Sequence, residues 1–178
     1  MQAAARAFLN AGYEKTSMED VAQAAGVTRL IVYRIFESKE ALYLAVLTTV
    51  IDDIALRFID REQIQAAPRE SVAVNLLGAA RAHPDGFRLL WRHASNQAEF
   101  SELFGMFKAA ATEYGMALIA AAITDPTMQR WAAASLVSHL YESICLWLDR
   151  GDAARDEQFL LMLTEGVKEM VRRWAALA

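Results

Sequence analysis

Arg29 and Arg34 lie in a stretch, Thr28 to Phe36, that holds no acidic side chain. An arginine can donate two parallel hydrogen bonds to O6 and N7 of one guanine, and the aliphatic Leu30 beside them suits contact with a thymine methyl group. Thr28, Tyr33 and Lys39 carry a hydroxyl or an ammonium group. Such donors hold a nucleic-acid backbone by its phosphates and set register without reading sequence. Thr16 and Ser17, further upstream, sit where a helix is expected to begin, and a helix N-terminus offers N–H groups to a phosphate.

These groups read DNA only if a rigid element carries them into a groove, and the spacing supplies one. Ala22 is followed by Gly26 and then by Val32. A small residue lets two helices cross closely, and a glycine takes a left-handed turn without a Cβ clash. This is the spacing of a helix-turn-helix, whose second helix enters the major groove. A preceding helix is expected over about residues 2–11, with Ala5, Phe8 and Leu9 inward and Gly12 as its C-cap. Thr16 and Glu19 read as a capping box for the next helix, with Val21 and Ala25 on its inner face. Val27, Val32 and Ile35 form the matching face of the third. Ser38 caps a long fourth helix to about Asp60, striped by Leu42, Val46, Val50, Ile54 and Phe58.

Beyond it, Ala66-Ala67-Pro68 breaks the pattern, and Pro68 suits the first turn of a helix reaching about residue 82. His83-Pro84-Asp85 restarts the chain into a helix through Trp91. A loop near Ser95-Asn96 precedes a long helix over about residues 98–123. Asp125 and Pro126 are a strong start signal for a helix that runs to Arg150 and closes at Gly151. A last helix spans about 155–177. The expected fold is all-α with about nine helices. A three-helix DNA-binding head (residues 1–47) precedes a larger helical domain (residues 48–178) for ligand binding and dimerisation.

Two features of that larger part suggest sites. Its middle helices carry Phe87, Trp91, Phe100, Phe104, Phe107, Tyr114, Trp131 and Tyr141, with Asn75, His93, His139 and Glu142 as possible polar handles. Helical ligand pockets are mostly apolar with a few orienting polar groups. The residues expected to line one are Phe58, Asn75, Trp91, Phe104, Phe107, His139 and Glu142, although aromatic residues at helical spacing serve equally as core. The last two helices carry broad stripes: Val137, Leu140, Ile144, Trp147 and Leu148, then Phe159, Leu163, Val167, Met170, Trp174 and Leu177, widened by Leu160 and Val171. Such stripes exceed one packing face, and two copies of the pair would make a four-helix bundle. The expected dimer contacts are Leu140, Ile144, Trp147, Phe159, Leu163, Val167, Met170 and Trp174. The alternative is that these stripes only cover the chain's own core.

Composition narrows the classes. Of 178 residues, 55% are apolar and 22% charged, with only 8 Gly and 3 Pro, which fits a folded helical protein. The net charge is −4, yet residues 1–50 hold five basic and five acidic residues, so the acidity belongs to the later part. Local placement decides phosphate contact. The longest apolar runs, such as Ala41–Ile51, are too short to span a bilayer, so no membrane partner is expected. No secretory signal is visible, and the single Cys145 cannot form an internal disulfide, which points to the cytoplasm. His83, His93 and His139 have no Cys or carboxylate at metal-ligand spacing, and no glycine-rich phosphate loop occurs. Ser138 and His139 are adjacent and point to different helix faces, so they cannot act as nucleophile and base. An enzyme, a metal or a cofactor is not expected.

Phe8, Gly12-Tyr13, Thr16-Ser17, Asp20-Val21-Ala22, Ala25-Gly26-Val27, Tyr33, Phe36 and Ser38-Lys39-Glu40-Ala41-Leu42 together resemble the tetracycline-repressor (TetR) family of bacterial transcriptional regulators. The resemblance is dense over about residues 3–47 and architectural beyond. It implies a homodimer whose heads bind a palindromic double-stranded operator, and a C-terminal domain holding a small effector that lowers DNA affinity. Most members repress. The sequence departs at Leu30, where the family usually has Gly or Ala, and at Ile35, where it often has His or Tyr. Only Arg6 lies ahead of Gly12, where members commonly carry a basic arm. The function expected is a ligand-responsive regulator, a repressor released by a small apolar or aromatic effector, with the fourth helix as the lever between head and body. The alternative is a helical ligand-binding dimer with weakened or lost operator binding, supported by those departures.

Overall fold

The computed structural model describes residues 1–58 and 70–177, and every regular element among them is helical. Helix α1 spans Gln2–Ala11, α2 Met18–Ala25, α3 Arg29–Ile35 and α4 Lys39–Phe58. Then come α5 (Glu70–Ala82), α6 (Pro84–Arg88), α7 (Ala98–Ile119), α8 (Pro126–Arg150) and α9 (Asp156–Ala175). The expected all-α architecture stands. The expected end of the fourth helix at Asp60, the break at residues 66–68 and the role of Pro68 lie outside the described residues.

Local chemistry sets the head. Gly12 ends α1 at φ 83°, its N–H donating to the Phe8 carbonyl, and Gly26 ends α2 in the left-handed region at φ 68°. Only glycine adopts that backbone without penalty. The Val27 amide then returns to the Ala22 carbonyl at 3.0 Å, satisfying a carbonyl that the helix end leaves free. The capping box of α2 sits one residue later than expected. Ser17, not Thr16, accepts from the Asp20 amide, and Asp20 accepts from the Ser17 amide at 2.8 Å. The two registers have the same spacing, and in the observed one Met18, Val21 and Ala22 are buried. Thr16 is buried instead, its hydroxyl donating to the Gly12 carbonyl at 2.7 Å and to the Ala7 carbonyl at 3.3 Å. Ala25, Val27 and Ile35, expected inward, are exposed; Val32 alone anchors α3.

In the body, Asp125 caps α8 by accepting from the Met128 amide at 2.8 Å, with Pro126 at the first helical position as expected. Gly151 closes that helix, where any Cβ would collide with the Trp147 indole. Helix α7 stops at Ile119, short of the expected residue 123, and the chain turns so that Ile123 re-enters the core. Between α6 and α7 the chain makes a π-helical turn over Leu89–His93 and a 3-10 turn over Ala94–Asn96. The π turn brings Leu89 and Leu90 inward while Arg92 reaches Glu142 and Asp149 on α8 at 2.6 and 2.7 Å. On the other side Arg81 and the Trp147 N–H both donate to Asp156, fixing α5 and α8 to the start of α9.

Head and body share one core. Phe8 and Tyr13 pack on Tyr43 of α4, and Phe100 of α7 lies 4.5 Å from the Tyr43 ring and 5.2 Å from that of Tyr13. A smaller cluster of Ile119, Ile123, Ala132, Ala133, Leu136 and Val171 closes the far end of the body.

Candidate functional site

Helix α3 has seven residues, and all but Val32 are exposed. Leu30 and Ile35 are its most exposed apolar side chains, at 71% and 67%. A short helix anchored by one side chain and otherwise turned to solvent keeps its outer faces for a partner. Thr28 makes no side-chain cap, so its hydroxyl stays available at the helix start. The Arg29 guanidinium lies 5.1 Å from the Tyr33 ring centroid and donates to the Tyr33 hydroxyl at 3.3 Å, so the two are held as a pair. Arg34 is exposed near the other end, where its charge also suits the helix C-terminus. Thr28, Arg29, Leu30, Tyr33 and Arg34 are thus brought together on one exposed element.

The remaining expected DNA contacts divide. Ser17 is exposed at the start of α2, with its hydroxyl donating to Asp20 at 2.6 Å. That bond holds the Asp20 carboxyl below its ordinary range, so a negative charge already occupies this helix start. Two other expectations need correction. Thr16 is buried, its hydroxyl committed to carbonyls of α1 and the following loop, and so cannot reach a phosphate. The Lys39 ammonium points inward across the head. It donates to the carbonyls of Tyr13 and Glu14 at 2.9 and 3.3 Å and lies 4.4 Å from the Tyr13 ring centroid. It pins the loop between α1 and α2 to the start of α4.

The body holds a cavity of about 540 Å³ walled by α4, α5, α7, α8 and α9. Of the expected lining residues, Phe58 and Phe107 are there. The others are placed elsewhere, each for a visible reason. Trp91 stacks on Tyr141 at 4.8 Å and meets Phe104 edge-on, as core. Asn75 donates to the Arg57 carbonyl at 3.1 Å. Glu142 is bound by Arg92, and His139 is exposed on the outer face of α8. The polar groups that do reach the cavity are Tyr114, Tyr141, Thr164 and Lys168. Its space comes from Ala110, Ala111 and Gly115 on α7, small residues where a filled core would carry bulk. Their one-helix-face spacing was a readable signal, as was the presence of both tyrosines among the aromatic residues.

The expected dimer stripe is largely committed to contacts within this chain, with only Ile144 and Leu163 fully buried and the rest half-buried. Ile144 and Leu163 are buried in this chain's own core, and Leu140 and Val167 line the cavity. Trp147 stacks on Phe159 at 4.6 Å, Trp174 packs on Trp131 at 5.0 Å, and Met170 packs against the smaller cluster. The stripes are wide because they serve a core and a cavity together. The apolar side chains that α8 and α9 turn outward are others: Met128, Trp131 and Leu146, with Leu161 and Met162.

Burial pushes the Cys145 thiol up to about 12, so it behaves as an apolar core residue. Among the described residues no group of three His, Cys, Asp or Glu side chains could hold a metal ion, and no helix is long and apolar enough to cross a membrane.

Comparison with known proteins places this geometry. Residues 1–46 match the family model described as bacterial regulatory proteins, tetR family. The HTH-type transcriptional regulator RutR of Escherichia coli (strain K12) is 29% identical over 184 residues, spanning 96% of this chain and 86% of RutR. A TetR-like transcriptional regulator from Rhodococcus sp. RHA1 superposes with a TM-score of 0.73 at 18% identity, covering 95% of this chain and 91% of that one. The structure of AibR in complex with isovaleryl coenzyme A and operator DNA superposes with a TM-score of 0.66 at 18% identity, covering 92% of each chain. At such identities the two superpositions establish a shared fold.

Proposed function

This chain belongs to the TetR family and is a DNA-binding transcriptional regulator, and from that premise we propose that it is a homodimeric repressor released from a palindromic operator by a small apolar or aromatic effector. Residues 1–47 serve as the reading head and 48–178 as the effector-binding and dimerisation body. The observation that carries this reading is α3: six of its seven residues are exposed, with Arg29, Leu30, Tyr33 and Arg34 among them. Arg34 reads a guanine edge, Leu30 touches a thymine methyl, and Thr28 holds a phosphate.

The cavity is the effector site. AibR, on the same fold, is described with both a small ligand and operator DNA. Helix α4 is the lever. Its first residue, Lys39, pins the head loop, and Ile51, Ile54 and Phe58 near its other end wall the cavity. A ligand that fits one tilt of α4 better than another shifts the heads by its difference in affinity for the two. The apolar side chains that α8 and α9 turn outward, Trp131 and Met162 among them, form the surface that pairs two copies.

The test is a fluorescence-anisotropy titration of the full chain against the DNA flanking its own gene. Saturable binding at two protomers per site, resisting competition by random duplex, is the expected result. Affinity equal for random and flanking DNA would overturn the operator reading and leave a ligand-binding dimer. Leu30 and Ile35, apolar where a DNA-facing surface is usually polar, are what would favour that second reading.

A further inference from the structure

The cavity's polar groups say more about its occupant than its shape does. Tyr141 is 4% exposed and Thr164 7% exposed, and both line the cavity. Neither hydroxyl has a hydrogen-bond partner among the described residues, while no buried side-chain N or O atom among them is sealed away unpaired. The two hydroxyls therefore open onto the cavity. For Thr164 this is a choice against an available alternative. Thr49 and Thr112, also within helices, return their hydroxyls to the carbonyl four residues earlier, at 2.7 and 2.8 Å. Thr164 makes no such bond. Leaving a buried donor unpaired costs stability, and native chains do so where something else completes it.

Tyr141 is moreover held in one direction. Its ring is stacked between Phe87 at 5.5 Å and Trp91 at 4.8 Å and meets Phe107 edge-on at 5.5 Å. Burial pushes the phenol far up, so it is a proton donor throughout the physiological range. Among the described residues the remaining walls are aliphatic and aromatic apart from Tyr114 and Lys168. Lys168 is ion-paired with Glu165 at 2.9 Å, so its charge is already met. A carboxylate entering this space would lose its water and find no unmatched cation among the described residues.

Resting on the reading of this cavity as the effector site, we infer that its ligand is an uncharged apolar molecule carrying a carbonyl oxygen, of the ketone, ester or lactone class, received by the hydroxyls of Tyr141 and Thr164. The apolar remainder lies along Ala111, Gly115 and Val137 toward the far end of the body.

The experiment is a calorimetric titration of the full chain with 2-undecanone and with decanoate at neutral pH, alongside dodecane read by displacement of Nile red. The ketone is expected to bind at least about tenfold more tightly than decanoate. Tyr141→Phe and Thr164→Val should each weaken the ketone by about tenfold, the scale of one lost buried hydrogen bond, and leave dodecane unchanged. Both replacements keep shape, so their unliganded melting temperatures should hold. Ketone affinity unchanged in both variants, or no ketone binding at all, overturns the inference. So does decanoate binding as tightly as the ketone and weakening with Lys168→Met, which would put a charged head at the rim. Operator affinity is measured separately. A ketone that binds as described without releasing DNA removes the effector reading and leaves the carbonyl site standing.

Discussion

The head and the body solve opposite problems. A DNA duplex is a large rigid partner, so the head presents a convex element, α3, held by one buried valine and free on every other side. A small molecule has to be surrounded, so the body turns its unpaired hydroxyls inward from helices that meet only in the fold. The head's site is built from neighbours in sequence, and the body's site draws on residues more than a hundred positions apart. Yet the two are packed into one core. Phe8, Tyr13 and Tyr43 of the head and the first helical turn of α4 share a ring cluster with Phe100 of the body.

That shared cluster gives the largest expected effect. Phe100 is 1% exposed, and truncating a buried phenylalanine costs about 3–5 kcal/mol. Phe100→Ala should therefore lower the melting temperature by about 6–20 °C for a chain of this size. Circular dichroism of the whole chain and fluorescence of the body tryptophans should fall in one transition. A head that melts first, leaving the body folded, would break the comparison by showing two units where one core is described.

The next effect separates the sites by what they read. Arg34→Ala should cost about 1–3 kcal/mol of operator affinity and relax selectivity at one base position. It should leave ligand binding in the body untouched. Selectivity that survives across operator variants would take Arg34 out of base reading.

A smaller effect belongs to the body's own frame. Arg81 donates to Asp156 at 2.6 Å and, with the Trp147 N–H, holds its carboxyl below the ordinary range against a burial that would raise it. A carboxylate with a depressed folded pKa contributes stability that is complete above its unfolded value of about 3.9 and is lost as pH falls through the folded value. Since both side chains are about a third exposed, Asp156→Asn should cost only about 1 kcal/mol at pH 7. The gap in melting temperature between the two proteins should stay flat from neutral pH to about pH 5 and close below about pH 4. A gap that persists undiminished at pH 2 would show that packing around Trp147, not charge, is what the substitution removes.

The same contrast explains what the sequence made legible. The head's elements follow from local rules: a glycine at a left-handed turn, a cap followed by a carboxylate, one apolar anchor. Those rules act within a few residues, so α1 to α3 and the exposed arginines could be read directly. Even there, two overlapping cap registers, Thr16–Glu19 and Ser17–Asp20, are equal on spacing, and Thr16 is instead buried with its hydroxyl on the Gly12 and Ala7 carbonyls. In the body the helices were legible from Asp125-Pro126 and Gly151, but which face of each turned inward was not. A stripe through Leu140 and Val167 has the same period whether it meets a second subunit, a core or a cavity. Only the approach of α7, with its small Ala111 and Gly115, settles that, and this approach is set by the whole packing. Tyr141 was visible as an aromatic residue, but its unpaired hydroxyl is a property of the fold.

Lys39 is where the two kinds of reading meet, and its effect is the smallest. Its residue type and its place after the recognition helix suit a phosphate, while its geometry makes it a strut between α4 and the carbonyls of Tyr13 and Glu14. Lys39→Met keeps the stem that lies along Tyr13 and removes the two hydrogen bonds. Glu14 is exposed, so water can take over at its carbonyl and the loss should stay under about 1 kcal/mol. The salt dependence of operator binding separates the roles. A residue that neutralises a phosphate contributes about 0.9 to the slope of log K against log salt, per protomer. A strut contributes nothing to that slope. An unchanged slope with a slightly lower melting temperature is the expected pair of results. A flattened slope would place the ammonium group on the DNA, and the loop after α1 would then have to release it when the head binds.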